Sequence, residues 1–314
     1  MYFKEKKIKG RKYKYAVKSV RLPDGKVVSI ERLYKREPKE EMFKFFDERE
    51  REANYRYALK KFGTDHIFSE EELKKAEAIR LDYKKIMKKL PKTNIKDLFD
   101  RFTANFTYES NAIEGNSLTL KDVAMVMFEN VSLKGKDLRE IYETRNSRKV
   151  VGLIFANKFS ISHEGIIRMH ALLVKDTNIP TGYKKVPNFI AGRENIKITP
   201  PEKVYEDMNQ LIEWYNLSKD KIHPLKLAAM FHGKFEQIHP FEDGNGRVGR
   251  FLINVILIKA GYPPLIIRTS QRVSYLNALE DFDSKHKDSI ERFILERFRE
   301  TYKKFFEIYV KYIH

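Results

Sequence analysis

The amino-acid sequence predicts a mainly α-helical protein, and three features of the 314-residue chain support this fold class. Residues 38–90 follow a heavily charged helical pattern, which breaks near Gly63 and stops at Pro91. Residues 247–259 are mostly apolar and long enough to form a buried helix. Helical patterning continues to the C-terminus, where we predict helices over residues 201–217, 222–238, 246–260, 271–283 and 287–312.

Two segments depart from the helical pattern. Near the N-terminus, two β-prone runs flank a Pro-Asp-Gly-Lys turn at residues 23–26 and predict a lysine-rich β-hairpin. A second hairpin is predicted between Gly182 and Pro200, where β-prone pieces interrupt the helices. We therefore divide the chain into a basic β-hairpin, a helical arm and a main body, over residues 1–37, 38–93 and 94–314.

The main body begins with further helices over residues 94–160. One of them is interrupted at Gly115, and the next begins at a capping pair formed by Thr119 and Asp122. The C-terminal helix carries an aromatic stripe, which we interpret as core. Its members are Phe293, Phe298, Tyr302, Phe305, Phe306 and Tyr309.

Composition limits the classes of function. The chain has 62 Lys and Arg against 44 Asp and Glu, a formal charge of +18, but the charge is spread along the sequence rather than gathered in one arm. A nucleic acid partner is therefore not expected. The chain has no cysteine, which excludes disulfides and thiol catalysis. It shows neither a signal peptide nor a membrane span, so we expect a cytoplasmic protein without a membrane partner.

Residues 239–250 carry the most informative pattern, His-Pro-Phe-Glu-Asp-Gly-Asn-Gly-Arg-Val-Gly-Arg. The Gly-Asn-Gly turn at 244–246 tolerates positive φ and can direct backbone N–H groups into one concavity. This turn precedes the apolar helix, whose N-terminus favours phosphate. Arg247 and Arg250 lie at i and i+3, on one helical face. His239 can take a proton near neutral pH, and Asp243 is an oxygen ligand of the kind that Mg²⁺ uses.

These groups together predict phosphoryl-type transfer from a nucleotide, but a metal site is a competing interpretation. His232, Glu236 and His239 stand at i, i+4 and i+7 and could share one helical face. Pro240 must end that helix, because proline disfavours the α conformation in the preceding residue. His239 is then at a helix end, which suits a mobile base better than a rigid metal ligand.

The pattern at 239–250 resembles the active-site motif of the Fic family, HPFx(D/E)GNGRxxR, and matches it at every specified position. The resemblance implies a Fic-type helical bundle with a β-hairpin flap. It further implies a protein AMP-transferase that uses ATP and Mg²⁺ to modify a Ser, Thr or Tyr hydroxyl of a target protein. His239 would be the catalytic base and Asp243 the metal ligand. The nucleotide phosphates would be bound by Gly244, Asn245, Gly246, Arg247 and Arg250.

The resemblance also assigns residues outside this motif. Phe241 would anchor the loop in the core, and Tyr275 corresponds to an aromatic residue beside the adenine. A flap would align the target segment by strand-like pairing. The flap residues are Val186, Pro187, Asn188, Phe189 and Ile190.

A second motif lies upstream. Residues 110–115, Ser-Asn-Ala-Ile-Glu-Gly, resemble the inhibitory segment (S/T)xxxE(G/N) of Fic proteins that carry N-terminal autoinhibition. The resemblance implies an inhibitory helix near residues 103–115. Glu114 would pair with Arg250 and turn the α-phosphate away from His239. Ser110 would hold the helix in place through a hydrogen bond to the motif.

Three alternatives stay open at this point. The enzyme could remove AMP from a modified target, with Glu114 positioning a water molecule. It could use a different donor, such as UTP or a phosphocholine-bearing nucleotide. A basic nucleic-acid-binding protein with a vestigial site is the third, and the intact His239, Asp243, Arg247 and Arg250 argue against it. Self-modification is expected for the enzyme, and the apolar helices allow a homodimer.

Overall fold

The computed structural model describes residues 1–129, 133–188 and 198–312. Within them the chain is mainly α-helical, as predicted, with one small antiparallel sheet. The chain separates into two compact units, residues 1–81 and residues 82–314. The finer division at residues 37 and 93 stays a prediction.

The first unit contains an antiparallel sheet in the order β1, β2, β3. The predicted turn at residues 23–26 joins β2 to β3, and Gly25 there has a φ of 87°. The prediction of a two-stranded hairpin misses one strand. Strand β1 pairs with β2 through a tight turn at Lys9 and Gly10, both of which have positive φ. Almost all residues of β1 are exposed, so its sequence does not show the alternation of apolar and polar residues that marks a half-buried strand. The strands span β1 Tyr2–Ile8, β2 Arg11–Arg21 and β3 Val27–Leu33.

Two long helices follow the sheet, as the charged pattern predicts. Helix α1 (Lys39–Phe62) ends at Gly63, and helix α2 (Glu70–Lys89) ends just before Pro91. One face of the sheet packs on α1 through Ala16, Met42 and Phe46, all of which are buried. This small apolar core accounts for the attachment of the sheet to the first helix.

The second unit is built mainly from helices. Helix α4 begins at the predicted capping box, where the hydroxyl of Thr119 accepts from Asp122 N–H and the Asp122 carboxylate accepts from Thr119 N–H. A π-helical turn, Met125–Glu129, follows it. The helices are α3 Lys92–Ile113, α4 Leu120–Ala124, α5 Leu138–Phe155, α6 His163–Leu173, α7 Val204–Ser218, α8 Pro224–Ile238, α9 Asn245–Lys259, α10 Arg272–Asp283 and α11 Asp288–Phe305.

Helix α9 lies at the centre of the second unit, where it contacts α3, α5, α6 and α8. It is buried from Arg247 to Leu257, including a polar side chain, Asn254. The Asn254 amide exchanges two hydrogen bonds with the backbone of Leu265, which satisfies its buried polar atoms. The core interpretation of the aromatic stripe is confirmed for five members, and Tyr309 is partly exposed. The motif at 239–250 therefore lies at the end of the most buried helix of this unit.

The predicted hairpin between Gly182 and Pro200 lies largely outside the described residues, because residues 189–197 belong to an interval that the structure does not describe. The described part, residues 182–188, forms bends and irregular backbone rather than a strand. Among the helices of the described residues, none combines the length and apolar character needed to cross a membrane.

Candidate active site

The motif forms a tight loop between α8 and α9. Helix α8 ends at Ile238 as Pro240 requires, and His239 occupies the cap position with a left-handed φ of 50°. Gly244 also has a positive φ, 84°, immediately before α9. The His239 side chain is 14 % exposed. Two left-handed positions thus reverse the chain within six residues and leave the imidazole at the rim of the loop.

The loop is held from inside by Phe241 and Asn245. Phe241 is fully buried, and its ring stacks on the imidazole of His170 with centroids 3.8 Å apart. The side-chain oxygen of Asn245 accepts from Phe241 N–H, and its amide nitrogen donates to Phe241 C=O, both at 2.8 Å. The expected contact of Asn245 with phosphate stays a prediction. Both ends of this amide bind the loop backbone, and Asn245 maintains the loop geometry.

The N-terminus of α9 is open to an anion. Gly244 at the cap position has no side chain, and no side-chain cap forms at this helix end in the described structure. The first N–H groups of α9 and the helix dipole therefore point out of the loop, as phosphate binding requires. A Cβ atom on Gly246 would collide with the Glu114 carboxylate and lie 2.9 Å from Arg250 Nη1. Glycine at 246 permits this close approach.

Arg250 is buried and bound by the end of α3. Its Nε donates to Ser110 Oγ at 3.1 Å, and its Nη2 donates to Ser110 C=O at 2.8 Å. The same Nη2 donates to Glu114 Oε1 at 2.7 Å. Burial acts to lower the pKa of Arg250, but Glu114, Tyr275 and Glu236 together outweigh it and the pKa is raised. The guanidinium therefore remains charged, with part of its hydrogen-bonding edge taken up by α3.

Glu114 and Ser110 lie where α3 ends. Ser110 is 1 % exposed, whereas the Glu114 side chain is 42 % exposed and caps the helix next to Gly115, whose φ is 95°. Ser110 is thus fixed in the interface, and the Glu114 carboxylate reaches Arg250 from the solvent side. Glu114 has room to leave Arg250 without unfolding of α3.

Tyr275 lies in the core, beside His232 and Arg250. It is 2 % exposed, its hydroxyl is 2.7 Å from His232 Nε2, and its ring stacks on the same imidazole. The Arg250 guanidinium lies 5.9 Å from the centroid of the Tyr275 ring. A buried ring in this position supports the phosphate-side arginine through a cation–π contact. The expected contact of Tyr275 with adenine stays a prediction.

Sequence reasoning missed an arrangement of charges around Asp243. Asp243 Oδ2 is 2.5 Å from Arg139 Nη2, and Arg139 Nε is 3.1 Å from Glu143 Oε1. That oxygen of Glu143 is also 2.9 Å from Arg247 Nη1. Burial acts to raise the pKa of Asp243, but Arg247 and Arg139 outweigh it and the pKa is lowered. Arg139 and Glu143 lie about a hundred residues before the motif, and their i, i+4 spacing is common on any exposed helix.

The donor set at Asp243 fits Mg²⁺. The carboxylate is ionised, half-exposed and adjacent to the open N-terminus of α9, and Mg²⁺ commonly combines one carboxylate with phosphate oxygens and water. The alternative site at His232, Glu236 and His239 receives no support. His232 is fully buried, and its Nε2 is 2.7 Å from the Tyr275 hydroxyl, so this nitrogen already has a partner. No cluster of three or more His, Asp or Glu side chains suited to a metal occurs in the part of the chain that the structure describes.

The segment before the predicted flap contacts the motif loop. Asn188 Nδ2 donates to Phe241 C=O at 2.7 Å, and Lys184 Nζ donates to Asn188 Oδ1 at 2.8 Å. The backbone N–H of Lys184 donates to Pro240 C=O at 2.8 Å. Val186 and Pro187 are exposed, whereas Phe189 and Ile190 lie outside the described residues. Asn188 thus supports the motif loop, which target docking alone would not require.

Replacement of Asn188 by alanine is expected to lower the turnover number about tenfold, because the Phe241 carbonyl loses a donor and the loop loosens. The KM for nucleotide should change less, since Asn188 is not among the phosphate-binding groups. Steady-state kinetics of Asn188→Ala and of Leu217→Ala, an exposed control outside the flap, would test this. An equal loss in both variants, or a change confined to KM, would contradict it.

Two buried histidines make stability depend on pH. Burial lowers the pKa of His170 from 6.5 to about 4 and that of His232 to about 3. Below pH 6.5 the unfolded chain binds protons that the folded histidines do not, so the free energy of unfolding falls from pH 6.5 towards pH 4. His170→Gln should reduce this slope in urea unfolding, whereas the exposed control His286→Gln should not. Identical slopes in both variants would argue against the assignment.

The family model and the curated relatives that match this chain carry the same family name. The model of the Fic/DOC family matches residues 160–257. "Protein adenylyltransferase Fic" of Nematostella vectensis is 36% identical over 187 residues, which cover 55% of this chain and 41% of that protein. "Protein adenylyltransferase fic-1" of Caenorhabditis elegans is 31% identical over 189 residues, covering 55% and 35%. The chain therefore matches less than half the length of these curated relatives.

Solved structures share the fold. A Fic domain containing signaling protein from Bacteroides thetaiotaomicron has a TM-score of 0.65 and 28% identity, covering 75% of this chain and 96% of that one. Fic-1 of C. elegans, residues 134–508, also has a TM-score of 0.65, with 23% identity over 75% of this chain and 70% of that one. At 23% identity the second likeness concerns the fold alone.

Proposed function

We propose that this chain, which matches the Fic/DOC family over residues 160–257, transfers AMP from ATP to a Ser, Thr or Tyr hydroxyl of a protein. We further propose that Glu114 inhibits this transfer. One observation carries the proposal. A complete 239–250 motif forms a loop that combines a base with an open helix N-terminus, and Glu114 lies 2.7 Å from its second arginine. The relatives that bear the name adenylyltransferase support the same reaction class.

Nucleotide phosphates would bind at the N-terminus of α9. The backbone N–H groups there and the two arginines, Arg247 and Arg250, supply positive potential and planar donors. Asp243 would hold Mg²⁺, and the metal when bound neutralises phosphate charge as pyrophosphate leaves. Arg247 is 2 % exposed and lies beside Glu143, so its position is fixed before nucleotide arrives. Little reorganisation is then needed in the transition state.

His239 would act as the general base. It takes the proton of the acceptor hydroxyl while the hydroxyl oxygen forms a bond to the α-phosphorus, and the bond from that phosphorus to the pyrophosphate oxygen breaks. Glu236 lies 4.0 Å from His239 Nδ1, and such a carboxylate stabilises the imidazolium that results. The left-handed cap fixes the backbone of His239, so the imidazole moves only about its side-chain bonds.

Glu114 would inhibit by occupying Arg250. Its carboxylate takes one of the donors that a γ-phosphate needs and brings negative charge close to Gly246 at the start of α9. A nucleotide that binds beside it must shift, which moves the α-phosphate away from His239. Transfer depends on alignment of the two reacting atoms, so such a shift suppresses the reaction more than it weakens binding.

Intact-mass spectrometry tests the proposed reaction. The Glu114→Gly variant, incubated with ATP and Mg²⁺, is expected to modify itself and gain the mass of one or more AMP groups. The same protein with Asp243→Asn as well should gain little. Formation of ADP, or a gain that matches phosphate, would contradict AMP transfer.

AMP removal is the second candidate, and the exposure of Glu114 favours it. A carboxylate that is 42 % exposed at the edge of the site could position a water molecule for attack on AMP attached to a protein. Wild-type enzyme would then release AMP from a modified target, and Glu114→Gly would not. A different nucleotide donor is also possible, because the residues assigned to the nucleotide would bind its phosphates rather than its base.

Homodimer formation is likewise a proposal. The second unit has exposed apolar side chains at Leu120, Phe128 and Leu138, which are 38%, 41% and 59% exposed. Light scattering over a concentration series would detect association.

A further inference from the structure

The carboxylate that we assign to the metal already has a cationic partner. Arg139 Nη2 lies 2.5 Å from Asp243 Oδ2, and both side chains are half-exposed. Arg139 lies in the first turn of α5, outside the motif and outside the inhibitory segment. A charge-assisted contact of this length occupies one of the two Asp243 oxygens that could bind a divalent cation.

The surrounding contacts distinguish Arg139 from Arg247. The two guanidiniums alternate with the carboxylates of Glu143 and Asp243. One oxygen of Glu143 lies 3.1 Å from Arg139 Nε and 2.9 Å from Arg247 Nη1. The Arg247 side chain is 3 % exposed and 3.7 Å from Asp243, whereas the Arg139 side chain is 48 % exposed. Arg139 therefore can move into solvent, and Arg247 cannot do so without disrupting the core.

Charge balance gives this difference a consequence. With both arginines in place, the two carboxylates are neutralised, and a divalent cation meets no net attraction from the four groups. Without the Arg139 contact, a net negative charge remains, and it draws the cation to Asp243. Glu143 holds Arg139 from the other side, so the guanidinium stays close to the phosphate-binding end of α9 when it leaves Asp243.

We propose that Arg139 competes with the divalent metal for Asp243 and thereby sets the metal affinity of the site. Metal binding requires that Arg139 leave Asp243 while Glu143 retains it nearby. This inference rests on the proposed function for one point, the assignment of Asp243 to the metal. Removal of Arg139 leaves the fold intact, because half-exposed ion pairs contribute little to stability.

Mn²⁺ binding to the full chain tests the proposal without reference to activity. Free Mn²⁺ is measured by electron paramagnetic resonance during titration at low ionic strength. Arg139→Gln is expected to bind Mn²⁺ about fivefold more tightly than wild type. Arg139→Lys should stay near the wild-type affinity because the charge is kept. Lys149→Gln, the same charge change elsewhere on α5, should also stay near wild type, and added salt should shrink the effect of Arg139→Gln.

Two outcomes would overturn the proposal, and they separate it from the function. If Arg139→Gln binds Mn²⁺ no more tightly than wild type while Asp243→Asn loses binding, the competition is wrong and the metal assignment stands. If Asp243→Asn binds Mn²⁺ as tightly as wild type, the metal assignment of the proposed function fails, and the competition fails with it. Thermal unfolding of each variant verifies that the proteins compared are folded.

Discussion

Replacement of His239 by alanine is expected to lower AMP transfer by a factor of about 10² to 10⁴, the range in which a general base contributes. The imidazole is the proposed proton acceptor at the rim of the motif loop, and alanine removes it. Alanine and histidine both carry a Cβ atom, so the left-handed backbone at position 239 is not further strained by the change. The phosphate-binding groups on α9 are untouched, so nucleotide affinity should stay within about threefold of wild type. Initial rates and equilibrium nucleotide binding measure the two quantities separately.

Two control variants sharpen this test. His239→Gln keeps a polar side chain of similar reach but cannot accept the proton, and it should be as inactive as His239→Ala. His286→Ala removes an exposed histidine and should retain full activity. Transfer by His239→Gln at close to the wild-type rate would contradict a base role, and a large loss of nucleotide affinity would indicate a binding role instead.

Replacement of Glu114 by glycine is expected to raise the transfer rate by about two orders of magnitude, because a misplaced reacting atom typically costs a factor of this size. The variant releases the donor of Arg250 that Glu114 holds at 2.7 Å and removes the carboxylate beside Gly246. Arg250 remains bound to Ser110, so its guanidinium keeps its place. The measurement is the initial rate of AMP incorporation at saturating ATP.

Charge and length of the side chain can be separated at the same position. Glu114→Gln keeps the length but removes the charge, and it should be activated, though less than Glu114→Gly. Ser110→Ala removes one hydrogen bond to Arg250 and should activate less than either, because Glu114 still reaches the arginine. A Glu114→Gly rate equal to that of wild type would exclude the inhibitory role.

Local signals in the sequence are sufficient to predict the motif loop and the helices that flank it. Pro240 fixes the end of α8, glycines at 244 and 246 permit the loop, and apolar periodicity fixes α9. The capping pair at Thr119 and Asp122 marks the start of α4. Each of these features can be predicted because it acts over only a few residues. The second motif likewise predicts the pair of Ser110 and Glu114 that meets Arg250.

Other features depend on contacts that the sequence does not contain. Strand β1 is exposed on a lysine-rich edge, so no alternation of burial marks it. Tyr275 resembles a site aromatic in position along the chain, but helix packing turns its ring onto His232 in the core. Arg139 and Asp243 are 104 residues apart, and only the packing of α5 beside the motif brings them together. Each of these outcomes is decided by tertiary structure.

Transfer of label from ATP distinguishes AMP transfer from phosphate transfer. Wild type and Glu114→Gly are incubated with Mg²⁺ and with ATP labelled at either the α- or the γ-phosphate, and label on protein is measured. The account predicts label on the enzyme from the α position alone, and strongly increased incorporation in Glu114→Gly. Label from the γ position would identify a kinase and contradict the account, and absence of label from both positions in Glu114→Gly would exclude ATP as the AMP donor.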